Sequence, residues 1–453
     1  MRRSVITGLS AALVLTSAGV GGALTASAAP AAAPAAPAAT TGVADGTFVS
    51  LKPTRLLDTR GASLGRKLNA KEIYNLKVNG RGGVPSSGVL AVVLNLTVTG
   101  PTQAGNIVAY PKGAAVPNAS SLNFVAGDTR ANLVTVPVSS DGYVSIRNAV
   151  GQTHVIADVQ GYYVGSTTTA PAGAVDYFPD DPWRVLDTRK AAEGPALAAH
   201  TYTVQSIDYG ADTADIAALA VNVTAVRPAT AGFLNAWNGD ENAIPNTSNL
   251  NFAAGATTSN MVLVPVTHRL DTDGTPLIDF AVGNSSNGTV DVVVDVVGVY
   301  AKGDGLRFRS AGSPKRIVDT RTSVGTTKLG PATTRTVTAP STVANASTIA
   351  LVTNATAVGP TVATYLTLWE TGITRSSSSN LNPAAGQTVA NMAMVGINDV
   401  NKFNIYNNSG TTNVIVDVAG RFDLSPNLAT APTAFSGSTA APKASTAQVA
   451  PLH

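Results

Sequence analysis

The chain contains no cysteine. Disulfide staples are therefore excluded, as are zinc and iron–sulfur sites built on thiolates. Charge is also scarce, with Asp, Glu, Lys and Arg making up only 13% of the residues. The formal net charge is +3, and setting aside Arg2 and Arg3 leaves 28 basic against 27 acidic residues. No basic cluster remains, so a nucleic-acid partner has no electrostatic footing. The four histidines, His154, His200, His268 and His453, occupy unrelated positions. The chain has no Gly-x-Ser-x-Gly elbow, His-Glu-x-x-His pair or phosphate-cradling glycine loop. No stretch carries a helical period of 3.6, and beyond the first 28 residues no run is long and apolar enough to span a bilayer.

What is present is repetition. Pro53 to Arg60 (PTRLLDTR) returns as Pro182 to Arg189 (PWRVLDTR) and as Pro314 to Arg321 (PKRIVDTR). Each copy is followed, roughly a hundred residues on, by a run centred on Asp158 (IADVQGYY), Asp295 (VVDVVGVY) or Asp417 (IVDVAGRF). A fixed period means one structural unit used three times. Triplication favours binding or structural modules over an enzyme, whose active site is ordinarily one unrepeated constellation.

The organisation follows from composition. Residues 1–28 have the charged start, apolar stretch and small-residue end (Ala26-Ser27-Ala28) of a signal peptide. Residues 29–45 form an Ala/Pro-rich linker. Three β units are expected at 46–165, 175–303 and 306–423, with a Thr/Ala/Pro spacer at 166–174 and a disordered tail at 424–453. In the first unit, short β-rich runs between turn residues predict eight strands, and the other two units are expected to match it. The fold class is therefore all-β: three tandem eight-stranded β-sandwiches, jelly-roll-like. The alternative is one six-bladed β-propeller with two blades per repeat.

Several residues recur at equivalent positions. Asp295 has Val293 and Val297 as same-face neighbours, and Asp158 and Asp417 are similar, so a carboxylate there must be paired. The partners on offer are Arg55 or Arg60, Arg184 or Arg189, and Arg316 or Arg321, with Asp58, Asp187 and Asp319 in the same signature. A buried ion-pair network between the first and last strand of each unit is expected. If Arg60 is the interior partner, its removal costs about 3 kcal/mol.

Asn95, Asn222 and Asn354 open Asn-x-Thr triplets, which fall in apolar strands and are not read as glycosylation sites. Asn123, Asn251 and Asn382 precede Asn132, Asn260 and Asn391 by nine residues, and Asn148, Asn284 and Asn407 precede the late aspartates. These amides suit either turn support or sugar hydroxyls. Tyr110, Trp237 and Trp369 are also equivalent, and strand alternation puts them on the face opposite Leu234/Ala236 and Leu366/Leu368. On a solvated face they would make a stacking platform, with Asn123, Asn251 and Asn382 as polar partners. Asp271-Thr272-Asp273-Gly274 reads as a hairpin turn rather than a calcium loop.

The Pro-x-Arg-x-x-Asp-Thr-Arg opening, the Leu-Asn-Phe middle (Leu122-Asn123-Phe124, Leu250-Asn251-Phe252) and the Asp-Val-x-Gly-Tyr ending resemble a repeat of exported actinobacterial proteins. That repeat occurs alone or appended to hydrolase domains. The resemblance covers nearly all of 46–423 and implies an extracellular accessory or adhesion-like module. The third unit departs from it at Pro383 and at Arg421-Phe422.

Together these readings lead to an expectation of a secreted or cell-wall-associated, non-enzymatic protein without cofactor or metal. Its partner would be a polysaccharide or cell-wall glycan, bound multivalently in a lectin-like manner. The alternatives are a structural or adaptor subunit of an extracellular protein assembly and, third, a cell-wall or glycoside hydrolase using the late aspartates.

Overall fold

Segment one (46–165) carries β1 (Phe48–Asp58), β2 (Ile73–Lys77), β3 (Val89–Thr99), β4 (Gly105–Pro111), β5 (Leu122–Phe124), β6 (Thr129–Pro137), β7 (Tyr143–Asn148) and β8 (His154–Val164). Segment two (175–303) carries β9 (Asp176–Asp187), β10 (Thr201–Asp208), β11 (Ile216–Val226), β12 (Gly232–Trp237), β13 (Leu250–Phe252), β14 (Thr258–Pro265), β15 (Thr267–Leu270), β16 (Pro276–Asn284) and β17 (Asp291–Ala301). Segment three (306–423) carries β18 (Leu306–Asp319), β19 (Thr333–Thr338), β20 (Thr348–Val358), β21 (Leu366–Glu370), β22 (Thr388–Gly396), β23 (Lys402–Asn407) and β24 (Asn413–Leu424), and β25 (Lys443–Pro451) follows. This computed structural model describes residues 44–165, 170–428 and 442–452. The expected signal peptide, residues 29–43 of the linker, 166–169 of the spacer and 429–441 of the tail lie outside the described residues.

The fold is all-β and antiparallel. In segment one the sheets run β1-β8-β3-β6 and β2-β7-β4-β5. The same orders recur as β9-β17-β11-β14 with β10-β16-β12-β13, and as β18-β24-β20-β22 with β19-β23-β21. In each segment the two sheets face each other across one apolar cluster. In segment one this joins Val92, Leu94, Leu96 and Val98 of β3 to Ile107 and Ala109 of β4 and Val144 and Ile146 of β7.

The expected equal strand count does not hold. Segment three lacks the counterpart of β5, keeping only an isolated bridge between Leu366 and Leu381. Pro383 stands where Phe124 and Phe252 stand in the siblings, and a proline has no N–H for a ladder. Segment two gains β15, which pairs with β16 around the Asp271–Gly274 turn. The tail also departs from expectation, because β25 pairs antiparallel with β10. Pairing of this kind needs only an unfilled sheet edge and no long apolar run.

The segments close on one another. The first strands meet cyclically: Phe48 bridges Val175, Tyr177 bridges Leu306, and the Phe308 N–H donates to the Gly46 carbonyl. A second apolar core lies between the segments. It gathers Phe48, Leu133 and Tyr163 from the first, Tyr177, Met261 and Tyr300 from the second, and Phe308, Met392 and Phe422 from the third. The recurrent glycines are explained here. A Cβ on Gly161, Gly298 or Gly420 would collide with the Phe48, Tyr177 or Phe308 ring, respectively.

Candidate functional site

In β3, Val92, Leu94, Leu96 and Val98 point into the segment's own core, and Ala91 and Val93 point to the shared central one. Asn95 lies on that second face, in register with Asp158 of β8, which pairs with Arg55 of β1. The same Arg–Asp–Asn row recurs as Arg184–Asp295–Asn222 and Arg316–Asp417–Asn354. These rows carry the two polar systems that the segments share.

The first system is ionic. Arg55 donates through Nε and Nη2 to Asp158 at 2.9 and 3.2 Å, and reaches Asp58 at 3.4 Å. Arg60 does not reach the interior; it pairs bidentately with Asp58 at 2.9 and 2.7 Å. The second segment repeats this as Arg184–Asp295 with Arg189–Asp187, and the third as Arg316–Asp417 with Arg321–Asp319. Burial pushes the Asp158, Asp295 and Asp417 carboxyls up, against the downward pull of their arginines. By contrast, Arg60 and Arg321 hold Asp58 and Asp319 below the usual carboxylate range.

The two arginines of each signature therefore differ in consequence. The Arg316 side chain is 16% exposed against a 1% exposed Asp417, whereas Arg60 is 49% exposed. Arg316→Ala strands a buried carboxylate and is expected to cost roughly 3 kcal/mol. Arg60→Ala is expected to cost no more than about 1 kcal/mol, which corrects the interior role considered for Arg60. Urea midpoints of the two variants check the contrast; equal losses would refute it.

The second system is a ring of asparagines that crosses every seam. Asn95 Nδ2 donates to the Ser248 carbonyl of segment two, Asn222 to Ser379 of segment three, and Asn354 to Ser120 of segment one. Their Oδ1 atoms accept in turn from Asn260, Asn391 and Asn132, at 2.9, 2.9 and 2.8 Å. The Oδ1 atoms of that second set accept backbone N–H bonds from across the same seams: Leu133 to Asn260, Met261 to Asn391, and Met392 to Asn132. The pattern is cyclic, and all six amides except Asn354 are buried.

Asn123, Asn251 and Asn382 brace this ring. Each accepts from the serine three residues earlier, Ser120, Ser248 or Ser379, whose carbonyl receives the neighbouring segment's asparagine. Asn382 also donates across the seam to Ser259. Asn148, Asn284 and Asn407 stay within their segments, tying loop carbonyls together. Between segments three and one, Ser120, Leu133, Asn354, Met392 and Asp417 line a cavity of ≈ 20 Å³. That is room for one water and not for a sugar ring.

The proposed stacking platform is not on a solvated face. Tyr110, Trp237 and Trp369 do lie opposite the aliphatic core, yet they are only 2%, 2% and 9% exposed. The chain after each tryptophan folds back over it, with Trp237 Nε1 donating to the Asp240 carbonyl and Trp369 Nε1 to the Ile373 carbonyl. Period-two alternation gives the face of a residue and says nothing of a loop that later covers that face.

One half-buried carboxyl has no counterpart in the siblings. Asp180 stands where Leu51 and Gly312 stand, accepts from Trp183 Nε1 at 2.9 Å, and is pushed by burial up to about 6. Between its ordinary value of 3.8 and that value, the folded chain keeps a proton that the unfolded chain has released. Stability is therefore expected to fall as pH rises through this window, by roughly 3 kcal/mol, and to stay lower above it. Asp180→Asn is expected to be the more stable protein at pH 7, with little difference at pH 4. Parallel urea midpoints at the two pH values would contradict this.

No family model matches the chain. No curated protein matches it either. Two solved structures that match are described as "Life in the extremes: atomic structure of Sulfolobus Turreted Icosahedral Virus" and "The Triple Jelly Roll Fold and Turret Assembly in an Archaeal Virus". Each is 10% identical with a TM-score of 0.16, and the alignments cover 84% of this chain and 92% and 91% of those chains. A likeness of that size carries no argument. Among the described residues no group of three or more His, Asp or Glu is placed to hold a metal ion, and no helix is long and apolar enough to cross a membrane.

Proposed function

We propose that this chain is a non-enzymatic structural or adaptor subunit of an extracellular protein assembly, built as three jelly-roll sandwiches closed into a ring. One observation carries the reading. The recurrent arginines, aspartates and seam asparagines are engaged with one another, as intrasegment ion pairs and as the cyclic asparagine seam, and Asn148, Asn284 and Asn407 are engaged with loop carbonyls of their own segments. Residues kept in triplicate for a ligand would have to present open hydrogen-bonding atoms.

The jelly-roll reading is supported by strand order. Each sheet mixes strands distant in sequence, such as β1-β8-β3-β6, whereas propeller blades are ordinarily meanders of consecutive strands. Export is supported by the character of residues 1–28 and by the resemblance to exported repeats. The polysaccharide reading loses its platform with the burial of Tyr110, Trp237 and Trp369, and no other triplicated aromatic replaces them.

Affinity capture from culture medium tests the proposal. The tagged chain is expected to retain a stoichiometric protein partner, and to show neither glycan-array binding nor turnover of peptidoglycan. Sugar binding without a protein partner would restore the lectin-like reading. Turnover lost on substituting Asp158, Asp295 and Asp417 would restore the hydrolase.

A further inference from the structure

The sheet edge at β10 is unlike its two counterparts. β2 and β19 each end their sheets and pair on one side only, and charge protects them: Lys77 lies in β2, with Lys71 and Glu72 beside it, and Arg335 lies in β19. Charged side chains are a common guard of exposed edges against further strand pairing. In β10, the run Thr201-Tyr202-Thr203-Val204-Gln205-Ser206-Ile207 carries no charge, and the strand's one charged residue, Asp208, stands at its far end opposite Lys443 of β25. This unguarded edge is the one that β25 covers, in register from Thr201–Pro451 to Asp208–Lys443 with one irregularity after Val204.

The fit extends to side chains. Gly283 of β16 lies opposite both Tyr202 and Asn235. The equivalent residues in the siblings are Arg147 and Tyr406, counted back from the recurrent Asn148, Asn284 and Asn407. Only segment two thus leaves the outer face of this sheet bare beside its aromatic. A Cβ at Gly283 would stand 3.1 Å from Leu452 Cδ1 and 3.1 Å from Trp237 Cζ3. Leu452 and Ala450 pack on Tyr202, Trp237 and Ala281, and the Leu452 N–H donates to the His200 carbonyl at 2.8 Å. Ladder plus side-chain socket is the usual anatomy of strand addition.

We infer that the β10 edge with its Gly283 socket is a strand-accepting slot whose ligand is the C-terminal strand of this chain, and that a second copy joins by exchanging that strand. An identical strand makes identical contacts in either copy, so exchange sacrifices none of them. Fourteen uncharged residues, 429–442, separate Leu428 from β25, a contour of at most about 50 Å. The inference goes beyond the proposed function and stands on different residues.

The native absence of cysteine provides a clean test. Val204 and Gln448 are register partners in the ladder. Full chains carrying Val204→Cys alone and Gln448→Cys alone are mixed at rising concentration under mild oxidation. A disulfide-linked heterodimer is expected, suppressed by excess synthetic peptide of residues 443–453. In parallel, the full chain carrying Leu452→Asp in its own strand is expected to bind the native peptide, labelled with fluorescein, and to bind a Leu452→Asp peptide about tenfold more weakly or worse. Peptide binding without a heterodimer overturns the exchange and leaves only the intramolecular clasp; neither signal overturns the slot as well. Both arms use purified protein, so a missing partner in culture medium leaves the inference standing, and a missing heterodimer leaves the assembly reading standing.

Discussion

Expressed alone, residues 46–165 are expected to sediment as a trimer rather than as a monomer. Freed from its neighbours, this segment exposes Phe48, Leu133 and Tyr163, which the intact chain buries in the central core. Each large apolar side chain left in water forgoes about 1.5–3 kcal/mol. It also leaves Asn95 and Asn132 without the Ser248, Asn260, Asn354 and Met392 groups they meet across the seams. Three identical copies can restore nearly all of this. Every donor in the ring finds its acceptor at an equivalent position of the next segment, so Ser120 can serve where Ser248 does and Leu133 where Met392 does. Sedimentation equilibrium should return three times the segment mass, with a melting temperature that rises with concentration. A monomer that keeps native circular dichroism and a concentration-independent melt would show the segments to be independent beads.

The second large effect is expected from Asn132→Ala. That one amide donates to the Ser121 carbonyl and to Asn354 Oδ1, and accepts from the Met392 N–H. Alanine leaves these three groups without partners at a seam where Asn132, Ser121 and Met392 are buried. Each unsatisfied buried group costs about 1–3 kcal/mol, so a loss of about 3–5 kcal/mol is expected. Asn123→Ala is the matched control. Asn123 is half-buried and is bonded to Ser120 within its own turn, and its loss is expected to cost about 1 kcal/mol. Chemical denaturation of both variants decides the matter; similar losses, or a loss under about 1 kcal/mol for Asn132→Ala, would remove the seam as the principal support of the ring.

Much of the fold was legible in the residues themselves. In segment one, turn punctuation bounds β-rich runs at 54–58, 72–78, 89–99, 106–110, 121–125, 132–138, 143–148 and 154–164, and these locate every strand to within a few residues, apart from a longer β1 that begins at Phe48. The need to pair a carboxylate flanked by valines was equally plain, because strand alternation alone places Asp295 among Val293 and Val297. Which arginine of each signature goes inward was not legible. Arg55 and Arg60 are five residues apart on a strand that is irregular between Arg55 and Leu57 and ends at Asp58, so alternation does not reach Arg60.

The meaning of the recurrent asparagines was hidden for a related reason. Val89–Val98 is apolar on both faces, as are Ile216–Val226 and Val292–Tyr300. A sandwich strand with one solvated face should alternate, so these doubly apolar runs were the available signal that the second face is also covered. Asn95 and Asn222 are polar interruptions of the first two runs, and their bonds, like those of Asn354 in the third segment, run to other segments.

By itself the sequence determined the threefold repetition, the all-β class, the strand positions and the presence of a charge pair in each unit, because all of these rest on local pattern and period. Only the tertiary structure decided that the three segments close around a common core, that the shared aromatics are covered, and that the C-terminal strand fills the β10 edge. Those outcomes depend on which surfaces meet across more than a hundred residues of chain, as when Asn132 finds Met392. A local pattern records which face a residue takes, and the partner that face will meet is set by packing.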